Sequence, residues 1–197
     1  MTKQKKKINV VFLLDRSGSM MESASDTIGG YNSYLEKQRN NNALITTILF
    51  DNNYEELHYR KDIKEVKNIT KDEYYVRGST ALYDAIGLTI NKLDKDVKDE
   101  KVLFIITTDG LENASREYNK ESISKLIKKH SNWEFIYLGA NIDSYSEGVS
   151  IGIRKENISN YSKSRDGINK MFKSVDYITK CMSSDVDFKE SWKKEIE

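Results

Sequence analysis

The sequence predicts an α/β fold: a doubly wound, mostly parallel sheet with one antiparallel edge strand and helices on both faces. Continuous apolar runs are typical of parallel strands that are buried on both faces. Stretches with helical spacing lie between these runs, and a short polar turn joins two further strand-like segments. The 197 residues, 38% of them hydrophobic, are enough for one domain with a sizeable core.

The apolar pattern predicts five strands, at residues 8–14, 43–50, 54–59, 102–107 and 133–138. The first, fourth and fifth are the continuous runs, and a loop rich in Gly, Ser, Asp or Asn follows each of them. Only Asp51, Asn52 and Asn53 separate the second strand from the third. Because so short a turn favours an antiparallel hairpin, we expect this pair to form an edge of the sheet.

Helices are predicted where apolar residues recur at helical spacing, within residues 24–35, 82–93, 123–130 and 168–178. Residues 60–76 form a long charged connection without a predicted structure. The expected organisation is a basic tail at residues 1–7, one domain at residues 8–181, and an acidic tail or short helix at residues 182–197.

Composition excludes several classes of protein. Lys and Arg number 32 against 31 Asp and Glu, so no global field attracts nucleic acid or anionic lipid. The single cysteine, Cys181, cannot form an internal disulfide, which favours a reducing compartment. Asp15 and Arg16 interrupt the N-terminal apolar run before any cleavage site, and no run reaches the roughly 18 apolar residues of a membrane helix. We therefore expect a cytoplasmic protein that binds neither nucleic acid nor membrane.

Oxygen-bearing side chains occur in three loops that the predicted sheet brings to one edge. Asp15, Ser17 and Ser19 follow the first strand, Thr80 precedes the second long helix, and Asp109 follows the central strand. Open parallel sheets bind ligands outside the carboxyl ends of their strands. Two carboxylates and three hydroxyls, without imidazole or thiolate, suit Mg²⁺ or Mn²⁺ better than zinc.

The spacing in the first of these loops also suits a metal ion. Asp15, Ser17 and Ser19 alternate by two, so in an extended loop their side chains point the same way, and Gly18 lets the backbone turn. With only two carboxylates in the set, the bound ion keeps residual positive charge. Mg²⁺ prefers octahedral geometry, so its sixth position would take water or a carboxylate from a partner.

These residues resemble the metal-ion-dependent adhesion site (MIDAS) of von Willebrand factor type A (vWA) domains. That family has Asp-x-Ser-x-Ser after the first strand, a Thr in a later loop and an Asp after the fourth strand. The matching residues are Asp15, Ser17, Ser19, Thr80 and Asp109. The order of strands and helices agrees from about residue 8 to about residue 180.

The resemblance implies a Rossmann-like vWA fold and a protein–protein binding module. The three hydroxyls would coordinate Mg²⁺ or Mn²⁺ directly or nearly so, and the two carboxylates directly or through water. A partner protein would complete the coordination with an Asp or Glu. Since the chain has no disulfide, the resemblance is to the intracellular, bacterial or phage type, and an acidic tail residue such as Asp187 or Glu197 could serve a second copy in self-association.

Loop residues around the predicted metal site are candidates for contact with the partner: Arg16, Met20, Arg77, Glu112 and Asn113. The guanidinium groups would pair with the same incoming acid. His58 and His130 are interpreted as structural, because neither fits a nucleophilic triad.

Two alternatives stay open. A Mg²⁺-dependent phosphotransferase or phosphatase on a similar fold would use an Asp after the first strand as nucleophile, but the second Asp expected two residues later is Ser17 here. In the other alternative, the metal is only a structural part of a scaffold. Because motifs for a serine nucleophile and for nucleotide binding are missing, we expect a binding module and not an enzyme.

Overall fold

A computed structural model describes residues 7–194 and 196, and over these residues the chain forms one six-stranded sheet. The strands are β1 (Ile8–Asp15), β2 (Ala43–Phe50), β3 (Tyr54–Asp62), β4 (Lys101–Thr108), β5 (Glu134–Gly139) and β6 (Ile158–Asn160). Their order across the sheet is β3-β2-β1-β4-β5-β6, with β3 antiparallel to β2 and the other pairs parallel. The predicted fold class is confirmed.

Five α-helices connect or follow the strands in the described part of the chain. They are α1 (Ala24–Gln38), α2 (Leu82–Asp96), α3 (Lys120–Lys129), α4 (Ser144–Ser150) and α5 (Arg165–Ser183). Of the helices within the described residues, none combines the length and apolar character needed to cross a lipid bilayer.

The strand β1 lies at the centre of two cores, one on each face of the sheet. All of its residues are buried, and alternate side chains point to opposite faces. Phe12 packs edge-on against Tyr31 and Tyr34 of α1, whereas Leu13 belongs to the core under α2 and α3. Because the strand is buried on both faces, its sequence is a continuous apolar run and not an alternating pattern.

The helix α4 and the strand β6 are elements that the sequence analysis did not predict. β6 has three residues, and Ile158 pairs with Tyr137 of β5 across the parallel ladder. α4 has seven residues, of which Ser144 and Gly148 are buried. Elements this short are too brief for apolar periodicity to be recognised in the sequence. They form because contacts with the neighbouring strand hold them in place.

The long 60–76 connection and the segment predicted as an acidic tail or short helix both pack onto the domain. In the 60–76 connection, Ile63, Val66, Ile69 and Tyr74 are buried in the core that α1 and α5 cover. Beyond α5, Phe188 and Trp192 join the same core, and a 3₁₀ helix spans Lys189–Lys193. Of the predicted tails, residues 1–6, Glu195 and Glu197 lie outside the described residues.

Two adjacent glycines of α1 predict opposite effects on stability. A β-carbon at Gly30 would lie 2.3 Å from the Phe172 ring of α5, whereas one at Gly29 would meet nothing within 4 Å. We expect Gly30→Ala to lower the free energy of unfolding by about 1–3 kcal/mol through overpacking. Gly29→Ala should raise it by up to about 1 kcal/mol, because alanine favours the helix. Urea unfolding of the two variants checks this prediction, and equal shifts in one direction would contradict the close packing of α1 on α5.

Candidate metal centre

The candidate site lies where the chain order of the sheet changes direction. From β1 the chain proceeds outward through β2 to β3, and from β4 it proceeds outward through β5 to β6 on the other side. β1 and β4 are parallel neighbours, with Leu14 opposite Thr107 at their carboxyl ends. The loops after these strands therefore diverge from one point, which is where ligands bind in open α/β sheets.

The loop after β1 is held by its own carboxylate. Asp15 is fully buried, its Oδ1 accepts a hydrogen bond of 2.7 Å from the Ser17 amide, and its Oδ2 accepts one of 2.6 Å from the Thr108 hydroxyl. Burial raises the pKa of Asp15 to about 6, although the bonds from Thr108 and Ser17 act in the opposite direction. This carboxylate lacks a compensating positive charge of the kind that lowers a pKa, so a bound cation would favour its ionised form.

The serines of this loop lie close together, beside the loop that carries Thr80. Ser17 Oγ and Ser19 Oγ are 3.2 Å apart. Gly18 donates its amide hydrogen to the carbonyl oxygen of Gly78 at 3.0 Å, and a β-carbon at Gly18 would lie 3.3 Å from that oxygen. The lack of a side chain at Gly18 thus favours the close approach of the two loops, which brings Thr80 toward the serines.

Asp109 joins the same group of side chains. The Ser19 hydroxyl donates a hydrogen bond to Asp109 Oδ1. A β-carbon at Gly110 would lie 3.0 Å from Thr80 Oγ1 and 3.6 Å from Ser19 Oγ, so both hydroxyls face this loop and glycine leaves the space between them open. The five predicted ligand residues are therefore brought together from the loops that begin at Asp15, Gly78 and Asp109.

The donor set fits a hard divalent cation. Asp109 Oδ2 is buried and has no hydrogen-bond partner, and Thr80, whose hydroxyl faces the same loop, is only 3% exposed. Over residues 7–194 and 196, no three His, Cys, Asp or Glu side chains group in a way that could hold a metal. The candidate set contains only two carboxylates beside three hydroxyls, and oxygen donors of these kinds are the ones that Mg²⁺ and Mn²⁺ prefer.

A lysine that the sequence analysis did not single out also enters the site. Lys163 Nζ lies 2.6 Å from Asp109 Oδ2 and donates a hydrogen bond of 2.7 Å to the carbonyl oxygen of Ser19. The contact with Asp109 is an ion pair without hydrogen-bond alignment, since Oδ2 has no hydrogen-bond partner. No local sequence signal marks Lys163, because 54 residues separate it from Asp109.

Arg16 and Met20 are not available to a partner, contrary to the prediction from sequence. Both are buried: Arg16 is fully buried, and Met20 is 1% exposed. Arg16 Nε bonds to Asp51 Oδ2 at 2.9 Å, and its terminal nitrogen bonds to Glu55 Oε2 at 2.7 Å. The side chain of Arg16 is turned inward because Asp51, which is also fully buried, requires a cation.

The other three candidates for partner contact hold loops in position. Arg77 has a side chain that is 42% exposed, and its Nε shares Asp51 Oδ2 with Arg16, at 2.9 Å. The Glu112 carboxylate accepts bonds from the amides of Tyr83, Ala114 and Ser115. Asn113 is exposed, but its Oδ1 accepts a bond of 2.9 Å from the Thr80 amide. Arg77 and Asn113 thus remain accessible, while the Glu112 carboxylate ties the loop after β4 to the first turn of α2.

Asp51 and Thr108 support the site, and the sequence analysis did not assign them to it. Asp51 binds both Arg16 and Arg77, and its carbonyl oxygen accepts a bond of 2.8 Å from the Ala81 amide, next to Thr80. Thr108 orients Asp15. The position of Thr108 directly before Asp109, at the end of a buried strand, was a usable signal for its role. The sequence indicates only a hairpin turn at Asp51, because its ion pairs with Arg16 and Arg77 join distant parts of the chain.

No protein-family model and no curated protein sequence matches this chain. Solved structures do match it. A von Willebrand factor type A protein from Catenulispora acidiphila is 12% identical, with a TM-score of 0.65, over 87% of this chain and 42% of that one. The open conformation of the pilus adhesin SpaC from Lactobacillus rhamnosus GG is 15% identical, with a TM-score of 0.71, over 90% of this chain and 30% of that one.

Proximal thread matrix protein 1 from the mussel byssus is 18% identical, with a TM-score of 0.62, over 88% of this chain and 46% of that one. The chain therefore spans less than half the length of each of these three proteins. At such identities the likeness concerns the fold alone. Together with the observed strand order, it identifies the fold of this chain as a Rossmann-type α/β fold like that of vWA domains.

Proposed function

We propose that this chain is a metal-dependent protein-binding module. Asp15, Ser17, Ser19, Thr80 and Asp109 hold Mg²⁺ or Mn²⁺, and an Asp or Glu of a partner protein completes the coordination. When bound, the ion supplies a positive charge that attracts this carboxylate. The observation that carries the proposal is the meeting of five oxygen-bearing side chains around the buried Asp109 Oδ2, which accepts no hydrogen bond and contacts only the ammonium group of Lys163 among the described residues.

The arrangement of Asp15 favours binding over phosphoryl transfer. Both of its carboxylate oxygens accept hydrogen bonds, from the Ser17 amide and the Thr108 hydroxyl, and the residue is fully buried. A nucleophilic carboxylate needs an oxygen that can reach the phosphorus atom. We therefore propose a non-enzymatic role in which Asp15 holds the loop and contributes negative charge.

Exposed apolar side chains beside the proposed ligands support a protein partner. Met21 lies two residues after Ser19 and is 70% exposed, and Leu111 lies two residues after Asp109 and is 54% exposed. The metal would bind an acidic residue of the partner, and the apolar side chains beside it would contact the protein surface around that residue. The similarity of the fold to that of a pilus adhesin agrees with an interaction role.

We further propose that the protein works in the cytoplasm of a bacterium or in a phage-infected cell. Cys181 is buried in α5 and is not part of a disulfide, which suits a reducing compartment. Self-association remains one form of the proposal, in which Asp187 of one copy would enter the site of another. In this structure the Asp187 carboxylate accepts a bond of 2.9 Å from the Lys189 amide, and Glu197 lies outside the described residues.

Affinity capture tests the proposal as a whole. The protein is immobilised and exposed to cell lysate in Mg²⁺, in EDTA, and as the Thr80→Val variant in Mg²⁺. Sedimentation of the purified protein in Mg²⁺ and in EDTA tests self-association separately. A protein retained only by the wild type in Mg²⁺, or a metal-dependent oligomer, is expected. Retention that is unchanged in EDTA would contradict a metal-bridged contact.

Thr80→Val is expected to weaken Mn²⁺ binding by about tenfold or more. Valine keeps the shape of threonine but lacks the hydroxyl, so the substitution removes one proposed ligand atom. The backbone bonds of Thr80 to Asn113 and Ala114 remain, so thermal stability should change little. Calorimetric titration measures the affinity, and Thr80→Ser, which restores a hydroxyl, is the matched control. Equal affinities of all three proteins would remove Thr80 from the ligand set.

A further inference from the structure

The ammonium group of Lys163 lies among the proposed metal ligands. It is 2.6 Å from Asp109 Oδ2 and donates a hydrogen bond of 2.7 Å to the Ser19 carbonyl oxygen. The side chain of Lys163 is 19% exposed and that of Asp109 only 1%. A cation thus already contacts the carboxylate oxygen that the metal would need, and it contacts the same loop that supplies two hydroxyl ligands.

The backbone around Lys163 is held in place by local hydrogen bonds. Ser164 is the N-cap of α5, where its hydroxyl accepts a bond from the Gly167 amide, and the Ser162 hydroxyl donates to the Ser164 hydroxyl at 3.0 Å. On the other side, the Tyr161 amide donates to the carbonyl oxygen of Gly139 at 2.9 Å. The backbone of Lys163 is therefore positioned from both sides, and its flexible four-carbon chain is the part that is free to move.

The negative charge of the buried Asp109 carboxylate attracts the ammonium group of Lys163 into the site. A buried carboxylate without a counter-ion is costly, and Asp109 has no hydrogen-bond partner at Oδ2. The ammonium group of Lys163 supplies one positive charge to Asp109. Asp15 receives only neutral donors, Ser17 and Thr108, so a divalent ion would compensate more of the buried negative charge than Lys163 does.

We propose that Lys163 is a tethered cation that stands in for the metal, and that a divalent ion binds only when it displaces the Lys163 ammonium group from Asp109. This inference rests on the metal site of the proposed function and adds a competitor that belongs to the chain itself. Lys163 then stabilises the metal-free protein and sets a threshold for metal occupancy. The apparent metal affinity is then the intrinsic affinity multiplied by the fraction of molecules in which Lys163 leaves the site open.

Titration with Mn²⁺ tests the competition. Lys163→Met keeps most of the side-chain length and removes the charge, and we expect it to bind Mn²⁺ about tenfold or more tightly than the wild type. The matched control is Lys173→Met, which removes a charge from an exposed residue of α5 and should leave the affinity unchanged. Thermal unfolding without metal should show a lower melting temperature for Lys163→Met, and saturating Mn²⁺ should remove that difference.

Amine labelling of the wild-type protein tests the displacement without any substitution. Acetic anhydride modifies accessible lysine amines, and mass spectrometry reports the extent at each lysine. Labelling of Lys163 should increase several-fold when Mn²⁺ is added, because its ammonium group leaves Asp109, whereas labelling of Lys173 should stay constant.

The outcomes separate this inference from the proposed function. Mn²⁺ binding with equal affinity for wild type and Lys163→Met, together with unchanged labelling of Lys163, would overturn the tethered cation and leave the metal site standing. If neither protein binds Mn²⁺, the proposed function fails and this inference fails with it. Tighter binding by Lys163→Met together with metal-induced labelling of Lys163 would support both.

Discussion

Asp109→Asn is expected to abolish measurable Mg²⁺ and Mn²⁺ binding while the chain stays folded. The substitution keeps the size of the side chain and removes the charge of the carboxylate that contacts both the Ser19 hydroxyl and Lys163. Outer-shell partners of metals typically account for about 10–100-fold in affinity, and a carboxylate that contacts the ion should account for more. Calorimetric titration with each metal measures the loss.

The matched control for this variant is Asp94→Asn. Asp94 lies near the end of α2, 12 residues and about 18 Å from its first residue, and its carboxylate pairs with Lys129 and His130. The control should bind metal as the wild type does, and circular dichroism should show both variants folded. Metal affinity that is equal in Asp109→Asn and Asp94→Asn would exclude Asp109 as a ligand.

Asp51→Ala is expected to destabilise the protein by about 3–5 kcal/mol, because it leaves the guanidinium group of Arg16 buried without its main counter-ion. The side chains of Asp51 and Arg16 are both fully buried, with 2.9 Å between Asp51 Oδ2 and Arg16 Nε. Asp51 also holds Arg77. Loss of this carboxylate should therefore loosen the loops that position Ser17, Ser19 and Thr80. Urea unfolding measures the change in stability.

Glu55→Ala is the control for Asp51→Ala, since Glu55 binds the same guanidinium group from a side chain that is 43% exposed. An exposed partner of this kind should contribute at most about 1 kcal/mol. Equal destabilisation by the two substitutions would contradict the assignment of Asp51 as the main counter-ion of Arg16.

The contribution of Asp51 should also depend on pH. Burial raises the pKa of Asp51, but hydrogen bonds from Arg77, Asn53 and Arg16 outweigh it, so the pKa lies below its ordinary value of 3.8. A carboxyl group with a lowered pKa in the folded state stabilises that state above its ordinary pKa. The difference in stability between wild type and Asp51→Ala should thus be constant at neutral pH and shrink as the pH falls below 3.8 toward the folded-state value.

Much of the fold could be predicted because burial on both faces leaves a strong pattern. The runs that became β1, β4 and β5 are continuous and apolar, and the turn at Asp51 predicted the antiparallel edge. β6 could not be predicted, since three residues carry no periodicity and pairing with β5 alone defines the strand. Packing of Trp192 into the core was not predicted either, because the polar residues around it suggested an acidic tail or a short helix at the surface.

The site was only partly predictable for a related reason. Its ligand residues lie directly after predicted strands or before a helix, so their convergence follows from parallel topology. The Arg16 side chain is buried because it contacts Asp51, which is 35 residues away, and no local sequence pattern reveals this contact. Lys163 likewise reaches Asp109 from the loop before α5. Side chains that act across long sequence separations become visible only when the loops are placed in space.

The metal-bridged interaction is tested most directly by anomalous scattering from crystals grown in MnCl₂. The peak is expected among the hydroxyls of Ser17, Ser19 and Thr80 and the carboxylate of Asp109, with Lys163 turned away from Asp109 and an additional carboxylate or water at the open coordination position. A crystal in which Mn²⁺ binds elsewhere, or nowhere on the chain while Lys163 remains on Asp109, would contradict a metal-dependent binding module.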